Sequence, residues 1–323
     1  MKYRKLGKTD LNVSEISLGC WTLGGVSWDK GQSSGWADVD EKEAIDAINY
    51  GIEKGVNHFD NADTYGNGKA ERMLAKALGF RSKQMIIATK IGHVKGTAEH
   101  AYEPQHIRHQ CEQSLINLKR DHIDLYYFHH GDFGPGDIYV DGAVAMMRKL
   151  KDEGKIRWLG LSAYSEGDFI RLTPKIKPDV LQSWGNITDD QFVRPGKPVA
   201  DMMKKEGLSF VAFSPLAQGL LLGKFSSKTP PRFQEGDHRK NDQRFTVEEI
   251  AKLEPKVDAL KKKFGAGTED LSRVALQYIL SYDITGCVIP GFRNRAQVEV
   301  NLKGADMKLT DGEISFIRDV FSK

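Results

Sequence analysis

Short apolar runs alternate along this chain with longer stretches whose apolar positions return every three or four residues. The runs predict buried strands over residues 16–23, 56–60, 85–90, 123–129, 157–162, 180–184, 209–214 and 285–290. The longer stretches predict helices between them, over 70–78, 104–118, 144–151, 168–172, 199–206, 271–282 and 296–302. The helix before the second strand is the best marked. Asp40 is its cap with Glu43 three residues on, Ala44, Ile45, Ile48 and Ile52 form its stripe, and Gly55 ends it. The helix at 104–118 opens on Pro104 and carries Ile107, Cys111, Leu115 and Leu118 on one face.

Three segments fall outside this alternation. Residues 3–13 read as a hairpin around Gly7-Lys8-Thr9-Asp10 that closes one end of the core. Residues 24–38 read as a Gly/Ser/Trp-rich loop longer than packing requires, of the kind that lines sites. A Pro- and charge-rich loop over 229–244 precedes an extra helix at 247–264, and a second extra helix is expected at 311–320.

Strands that are apolar on both faces, joined by helices, belong to parallel sheets covered on both sides. Eight such units predict an α/β fold of the (β/α)8 TIM-barrel class, with an N-terminal β-hairpin and two extra helices, as one domain over 1–323. The competing architecture, a doubly wound sheet with a second domain, calls for a Gly-x-Gly-x-x-Gly turn after an early strand, and the chain has none.

The 323 residues carry a net charge of only +3, with no dense basic cluster beyond 261–263, so neither a nucleic-acid nor a membrane surface is expected. Cys20, Cys111 and Cys287 have neither metal-ligand nor disulfide spacing. With no apolar leader, the expected compartment is the cytoplasm.

The catalytic face of a barrel collects the C-terminal ends of its strands. Here those ends are Cys20-Trp21, Asp60, Lys90, His129-His130, Ser162, Gln182 with Trp184, Ser214-Pro215 and Pro290-Gly291, and Tyr65 follows Asp60 closely. A phenol titrates near 10, and a Lys90 ammonium beside Tyr65 is expected to lower that value while Asp60 holds the lysine. His129 can donate to the oxygen that Tyr65 protonates. These groups would polarise a carbonyl and give it a proton, with hydride coming from a bound donor. The loop Ser214-Pro215-Leu216-Ala217-Gln218-Gly219-Leu220 offers backbone N–H groups for a pyrophosphate, and Gly291 to Asn294 opens a helix whose N-terminus favours an anion. Taken alone, each of these features also reads as a cap, a packed ring or an ordinary barrel turn.

At these residues the chain resembles the aldo-keto reductase superfamily from end to end. The motifs are G-V-N-H-F-D-N-A-D-T-Y-G-N-G-K-A-E, I-I-A-T-K, I-D-L-Y-Y-F-H-H, S-P-L-A-Q-G-L-L-L-G-K and V-I-P-G-F-R-N-R-A-Q-V-E-V-N-L. The nearest branch holds the bacterial general-stress and inositol-cluster reductases and the potassium-channel β subunits. The resemblance implies a catalytic tetrad of Asp60, Tyr65, Lys90 and His129, with Tyr65 as general acid, and NADPH/NADP as cofactor, NADH staying open. It implies that Ser162 and Gln182 hold the nicotinamide carboxamide and that Phe213 stacks on the ring. Ser214, Leu216, Gln218, Gly219 and Lys224 match the pyrophosphate loop, with Pro215 and Leu220 beside them. Gly291, Arg293, Gln297 and Asn301 match the adenosine end, where Arg293 meets a 2′-phosphate. Cys20, Trp21 and Asp60 complete the expected cofactor contacts. The chain departs from the pattern at Ala163, in place of a common Asn, at Phe213, and in Phe292-Arg293-Asn294.

The expected activity is reduction of aldehydes or ketones to alcohols, on a small-molecule carbonyl or alcohol substrate, in an unspecified oligomeric state. Trp21, Trp28, His130 and Trp184 are candidate substrate contacts, with Tyr102 and Phe133 as further aromatics; such a lining suits sugars, polyols or aromatic aldehydes. Two other readings compete: a cofactor-binding regulator of the channel β-subunit type, and a metal-dependent barrel hydrolase using His129, His130, Asp132 and Asp60. The hydrolase lacks a His-x-His pair on the first strand, and adjacent histidines on a strand face opposite ways, so no metal is expected.

Overall fold

Successive residues of a strand face opposite sides, so a barrel strand sorts its side chains into an interior set and a set facing the surrounding helices. The computed structural model describes residues 1–29 and 32–322, the side chains of 28, 29 and 32 excepted. Its strands are β1 (Tyr3–Lys5), β2 (Asn12–Ser14), β3 (Leu18–Gly19), β4 (Val26–Asp29), β5 (Gln32–Gly35), β6 (His58–Asp60), β7 (Ile86–Ile91), β8 (Ile123–Phe128), β9 (Ile156–Ser162), β10 (Val180–Trp184), β11 (Ser209–Phe213) and β12 (Thr285–Ile289). Its helices are α1 (Glu41–Glu53), α2 (Lys69–Leu78), α3 (Pro104–Leu118), α4 (Val140–Asp152), α5 (Glu166–Ile176), α6 (Pro198–Glu206), α7 (Val247–Phe264), α8 (Thr268–Leu280), α9 (Arg295–Leu302) and α10 (Asp311–Ser322).

Eight of the strands form one parallel sheet in the order β12-β11-β10-β9-β8-β7-β6-β3. The two edges nearly close on each other: Ile16 bridges Val288, Gly19 bridges Gly291, and the Ser17 N–H donates to Val288 O at 2.9 Å. This is the expected (β/α)8 barrel. The interior set at its lower levels is Ala88, Leu125, Tyr127, Val180, Val211, Cys287 and Ile289, packed against Leu6, Leu11 and Val13 of the β1–β2 hairpin, which plugs that end. Tyr127 fills the middle because Gly160 faces it; a Cβ there would lie 2.1 Å from the ring. The outward set joins the helix stripes in a second, larger apolar layer that holds Ala44, Ile48, Ile107 and Cys111. Asp40 caps α1 as expected, accepting from the Glu43 N–H at 2.9 Å.

Two sequence expectations change. The first strand does not run to residue 23: it stops at Gly19, and Cys20–Leu23 forms a 3-10 turn. The turn brings Gly24 against the backbone of Tyr65 and Gly66, where a Cβ on Gly24 would stand 2.6 Å from the Tyr65 carbonyl carbon. The loop at 24–38 is in part an antiparallel hairpin, β4 with β5, invisible to a search for apolar alternation because its residues are mostly serine, glycine and tryptophan.

Candidate active site

The same period of two that packs the barrel builds its mouth. Continuing the interior set upward by two residues per strand reaches Asp60, Lys90, His129, Ser162, Gln182 and Phe213. Asp60 pairs in register with Ala88, and Lys90 lies two residues further along β7. The ladder continues past the strand ends: Asn61 N–H donates to Ala88 O at 2.8 Å, and His129 N–H to Ile91 O at 2.8 Å. Tyr65 enters from the loop after β6, seated by the Gly24–Gly66 contact.

The Lys90 ammonium is 1% exposed and donates to Asp60 Oδ1, to Asn61 O at 2.6 Å and to the Tyr65 hydroxyl at 3.3 Å. Asp60 accepts at its other oxygen from Gln182 Nε2 at 2.8 Å. The His129 ring stands edge-on to Tyr65, with centroids 5.9 Å apart. Four groups from three strand ends and one loop thus meet at one point, as the sequence leads one to expect.

Their protonation differs from expectation in one respect. Burial, followed by the charge of Asp60, pushes the Tyr65 phenol well above its ordinary value of 10, so the predicted lowering by Lys90 is overturned. The ammonium sits against a carboxylate that offsets its field, and burial then favours the neutral phenol. Burial, with His93, Lys90 and His130 adding to it, holds His129 well below 6.5, so its imidazole is neutral.

A cavity of about 1810 Å³ opens over these groups, larger than the roughly 300–1,000 Å³ of an ordinary small-ligand site. Of the expected cofactor residues, Cys20, Trp21, Asp60, Gln182, Phe213, Ser214, Pro215, Leu216, Gln218, Gly219, Lys224, Gly291, Arg293, Gln297 and Asn301 line it. Ser162 is fully buried just outside the lining, its hydroxyl without a partner. Leu220 is a correction: it packs into the apolar layer under the loop. Among the expected substrate contacts, Trp21, His130 and Trp184 line the cavity, whereas the Trp28 side chain lies outside the described residues. Tyr102 and Phe133 stack on each other in the core, centroids 4.3 Å apart, and do not face the cavity. His129 and His130 both line it: His129 keeps the interior phase of β8, and His130, past the strand's end at Phe128, is no longer governed by alternation. Among the described residues no three His, Cys, Asp or Glu side chains gather so as to hold a metal, and no helix is long and apolar enough to cross a membrane.

A nicotinamide dinucleotide fits what is present. Buried polar atoms without partners include Gln182 Oε1, Ser162 Oγ, His129 Nδ1 and Asn301 Nδ2. The loop after β11 holds Ser214, Ala217 and Gln218 at positive φ (51°, 46° and 56°), a strained backbone of the kind kept where N–H groups are aimed at a ligand. At the far end Arg293 Nη1 donates to Ala37 O at 3.0 Å, and its backbone N–H donates to Gln297 Oε1 at 2.8 Å.

Several residues in the cavity wall or packed directly behind it were missed from sequence. His238, in the charge-rich loop, bonds Gly35 O at 2.9 Å and Gln218 Oε1 at 3.0 Å and lies 4.4 Å from the Trp21 ring. Arg239 pairs with Asp237 and sits between Trp36 and Phe233, 4.3 Å from each ring. His93 and Tyr164 also line the cavity. Only the unusual length of the two loops signalled the first group.

The model of the Aldo/keto reductase family matches residues 15–321. A probable aldo-keto reductase from Glycine max is 30% identical over 98% of this chain and 87% of its own length. An NADH-specific methylglyoxal reductase from Escherichia coli is 28% identical over 99% and 98%. The solved glycerol dehydrogenase from Gluconobacter oxydans superposes with a TM-score of 0.82 at 25% identity, covering 99% of this chain and 95% of that one. With the family pattern spanning the barrel from its first strand to its last helix, the chain belongs to the aldo/keto reductase family of oxidoreductases, which use nicotinamide cofactors.

Proposed function

We propose that the protein reduces small aldehydes or ketones to alcohols with NADPH, and that Tyr65 is the proton donor. The carrying observation is the contact of Lys90 with both Asp60 and the Tyr65 hydroxyl at the floor of the cavity. Bound there, the cofactor supplies hydride from its nicotinamide. Gln182 and Ser162 would hold its carboxamide, Phe213 its ring face, the loop from Ser214 to Gly219 with Lys224 its pyrophosphate, and Asn301 and Gln297 its adenosine end. Arg293 favours a 2′-phosphate through a charge-assisted contact.

The chain's own residues handle the proton. A neutral Tyr65 hydroxyl gives its proton to the carbonyl oxygen as negative charge develops there, and the Lys90 ammonium stabilises the phenolate left behind. Asp60 keeps the ammonium in place throughout. Neutral His129 donates a second hydrogen bond to the same oxygen. Aromatic Trp21, Trp184 and Tyr164 with polar His93, His130 and Asp132 around the mouth suit a short polyhydroxylated or dicarbonyl substrate; the methylglyoxal reductase and the glycerol dehydrogenase among the similar proteins agree with that class.

NADPH oxidation measured with glyceraldehyde, methylglyoxal and a panel of sugars tests the reading. Tyr65→Phe should lower kcat on the order of 10²- to 10⁴-fold and leave NADPH fluorescence titrations unchanged. A Tyr65→Phe variant as active as the parent would sink it.

A further inference from the structure

Asp60 is held from two sides, and only one of them is the lysine. Its Oδ1 takes the Lys90 ammonium, and its Oδ2 takes Gln182 Nε2 at 2.8 Å. Gln182 reaches it from β10, on the opposite side of the barrel sequence, and is fully buried. A carboxylate only accepts, so the amide must turn its NH₂ toward Asp60 and its carbonyl away. That carbonyl oxygen is buried without a partner.

We propose that Gln182 is a positioning residue of the proton relay: by occupying Asp60 Oδ2 it fixes the carboxylate's rotation and keeps the Lys90 ammonium aimed at Tyr65. The inference rests on the reductase reading and adds to it a role distinct from holding the cofactor. Rotation of a carboxylate with one free oxygen would move Oδ1 along with the ammonium bonded to it. The Lys90–Tyr65 contact is already long at 3.3 Å, so a small displacement breaks it. The amide therefore has two separate tasks. Its donor half serves Asp60, and its acceptor half is left for a ligand in the cavity. The Tyr127 hydroxyl, buried nearby inside the barrel, is also within reach of the amide.

Three variants of the full-length protein separate these tasks. Gln182→Met keeps the volume and removes both halves; kcat with methylglyoxal should fall on the order of 10- to 100-fold, as for a displaced reacting group. Gln182→Glu restores the donor only while the new carboxyl is protonated. Beside Asp60 that carboxyl shares one proton with it, its pKa is raised, and it donates to Oδ2 below that value. The kcat of Gln182→Glu should therefore approach that of the parent at low pH and fall as pH rises, a break absent from both the parent and Gln182→Met. Tyr127→Phe should leave kcat within about threefold, since a single neutral hydrogen bond of this kind carries little net energy.

NADPH dissociation constants, from fluorescence at each pH, supply a readout independent of turnover. Gln182→Glu should bind NADPH with little pH dependence while its kcat changes. In Gln182→Glu, affinity and kcat that change in parallel with pH, or a Gln182→Met variant with parental kcat, would overturn the positioning role and leave the reductase reading standing. A parent protein that binds NADPH yet reduces no carbonyl overturns both.

Discussion

Replacing Lys90 with methionine tests the centre of the site without any knowledge of the substrate. Methionine keeps nearly the side-chain volume, so no large cavity opens, and what is lost is the charge. The ammonium's three partners are Asp60 Oδ1, Asn61 O and the Tyr65 hydroxyl. Asp60 is 2% exposed and, among the described residues, would keep the Gln182 amide as its one remaining side-chain donor. Breaking a buried pair by removing one partner costs about 3–5 kcal/mol. With a urea dependence of roughly 3 kcal/mol per molar, the unfolding midpoint should fall by roughly 1–1.7 M. The variant relieves its unpaired charge by binding a proton, so the folded-state pKa of Asp60 rises above its unfolded value of about 3.9. A carboxyl with a raised folded pKa contributes stability below that pKa and loses it as pH rises through it. The deficit relative to the parent should therefore be full at pH 8 and shrink steadily toward pH 5. Adding Asp60→Asn removes the stranded charge and should recover at least half of the deficit. Urea melts of the parent, Lys90→Met and the double variant at four pH values suffice. A deficit below about 1 kcal/mol that does not vary with pH would refute the buried-pair account, as would a double variant whose losses simply add.

Further predictions concern groups on either side of this pair. His58, inside the barrel beside Cys287, is held by burial near a pKa of about 4. The unfolded chain binds its proton below 6.5 and the folded chain does not, so stability falls as pH drops from 6.5 toward 4, by about 1.36 kcal/mol per unit from this residue. Urea midpoints at pH 7 and pH 5 should lie closer together in His58→Gln, and an unchanged separation would contradict the assignment. At the far end of the cavity, Arg293→Leu should raise KM for NADPH on the order of 10-fold or more and that for NADH by less than about threefold, the difference being one charge-assisted bond to a 2′-phosphate. Equal losses with both cofactors would show that Arg293 serves the loop through Ala37 and not the phosphate.

The identity of the fold was already written in the order of apolar runs and helical stripes. Strands 180–184 and 285–289, and 156–162 from residue 159 on, are buried on both faces, and burial on both faces leaves a parallel sheet wrapped in helices as the stable solution. Asp60, Lys90 and His129 were legible for the same reason, since a charged or titratable group that ends an apolar strand stands out against its neighbours. Sequence spacing carried no information about what crosses the barrel. The Gln182 bond to Asp60 joins residues 122 positions apart, and no local pattern distinguishes an amide that holds a carboxylate from one that only meets a cofactor. The same holds for Arg239, which reaches the cavity on a loop without periodicity, for His238 packed behind the cavity wall against Trp21, and for Leu220, which turns into the core directly after Gln218 and Gly219 line the cavity. The sign of the Tyr65 shift also depended on the tertiary structure. From sequence the lysine is a positive charge beside a phenol; folded, it is half of a buried ion pair, and in the resting site burial and the Asp60 charge outweigh it at the hydroxyl. Short-range patterning determined which segments form the barrel and which residues end its strands, because burial acts on each element by itself. Pairing among those ends, and the protonation that follows from it, was decided only when the barrel closed and removed them together from water.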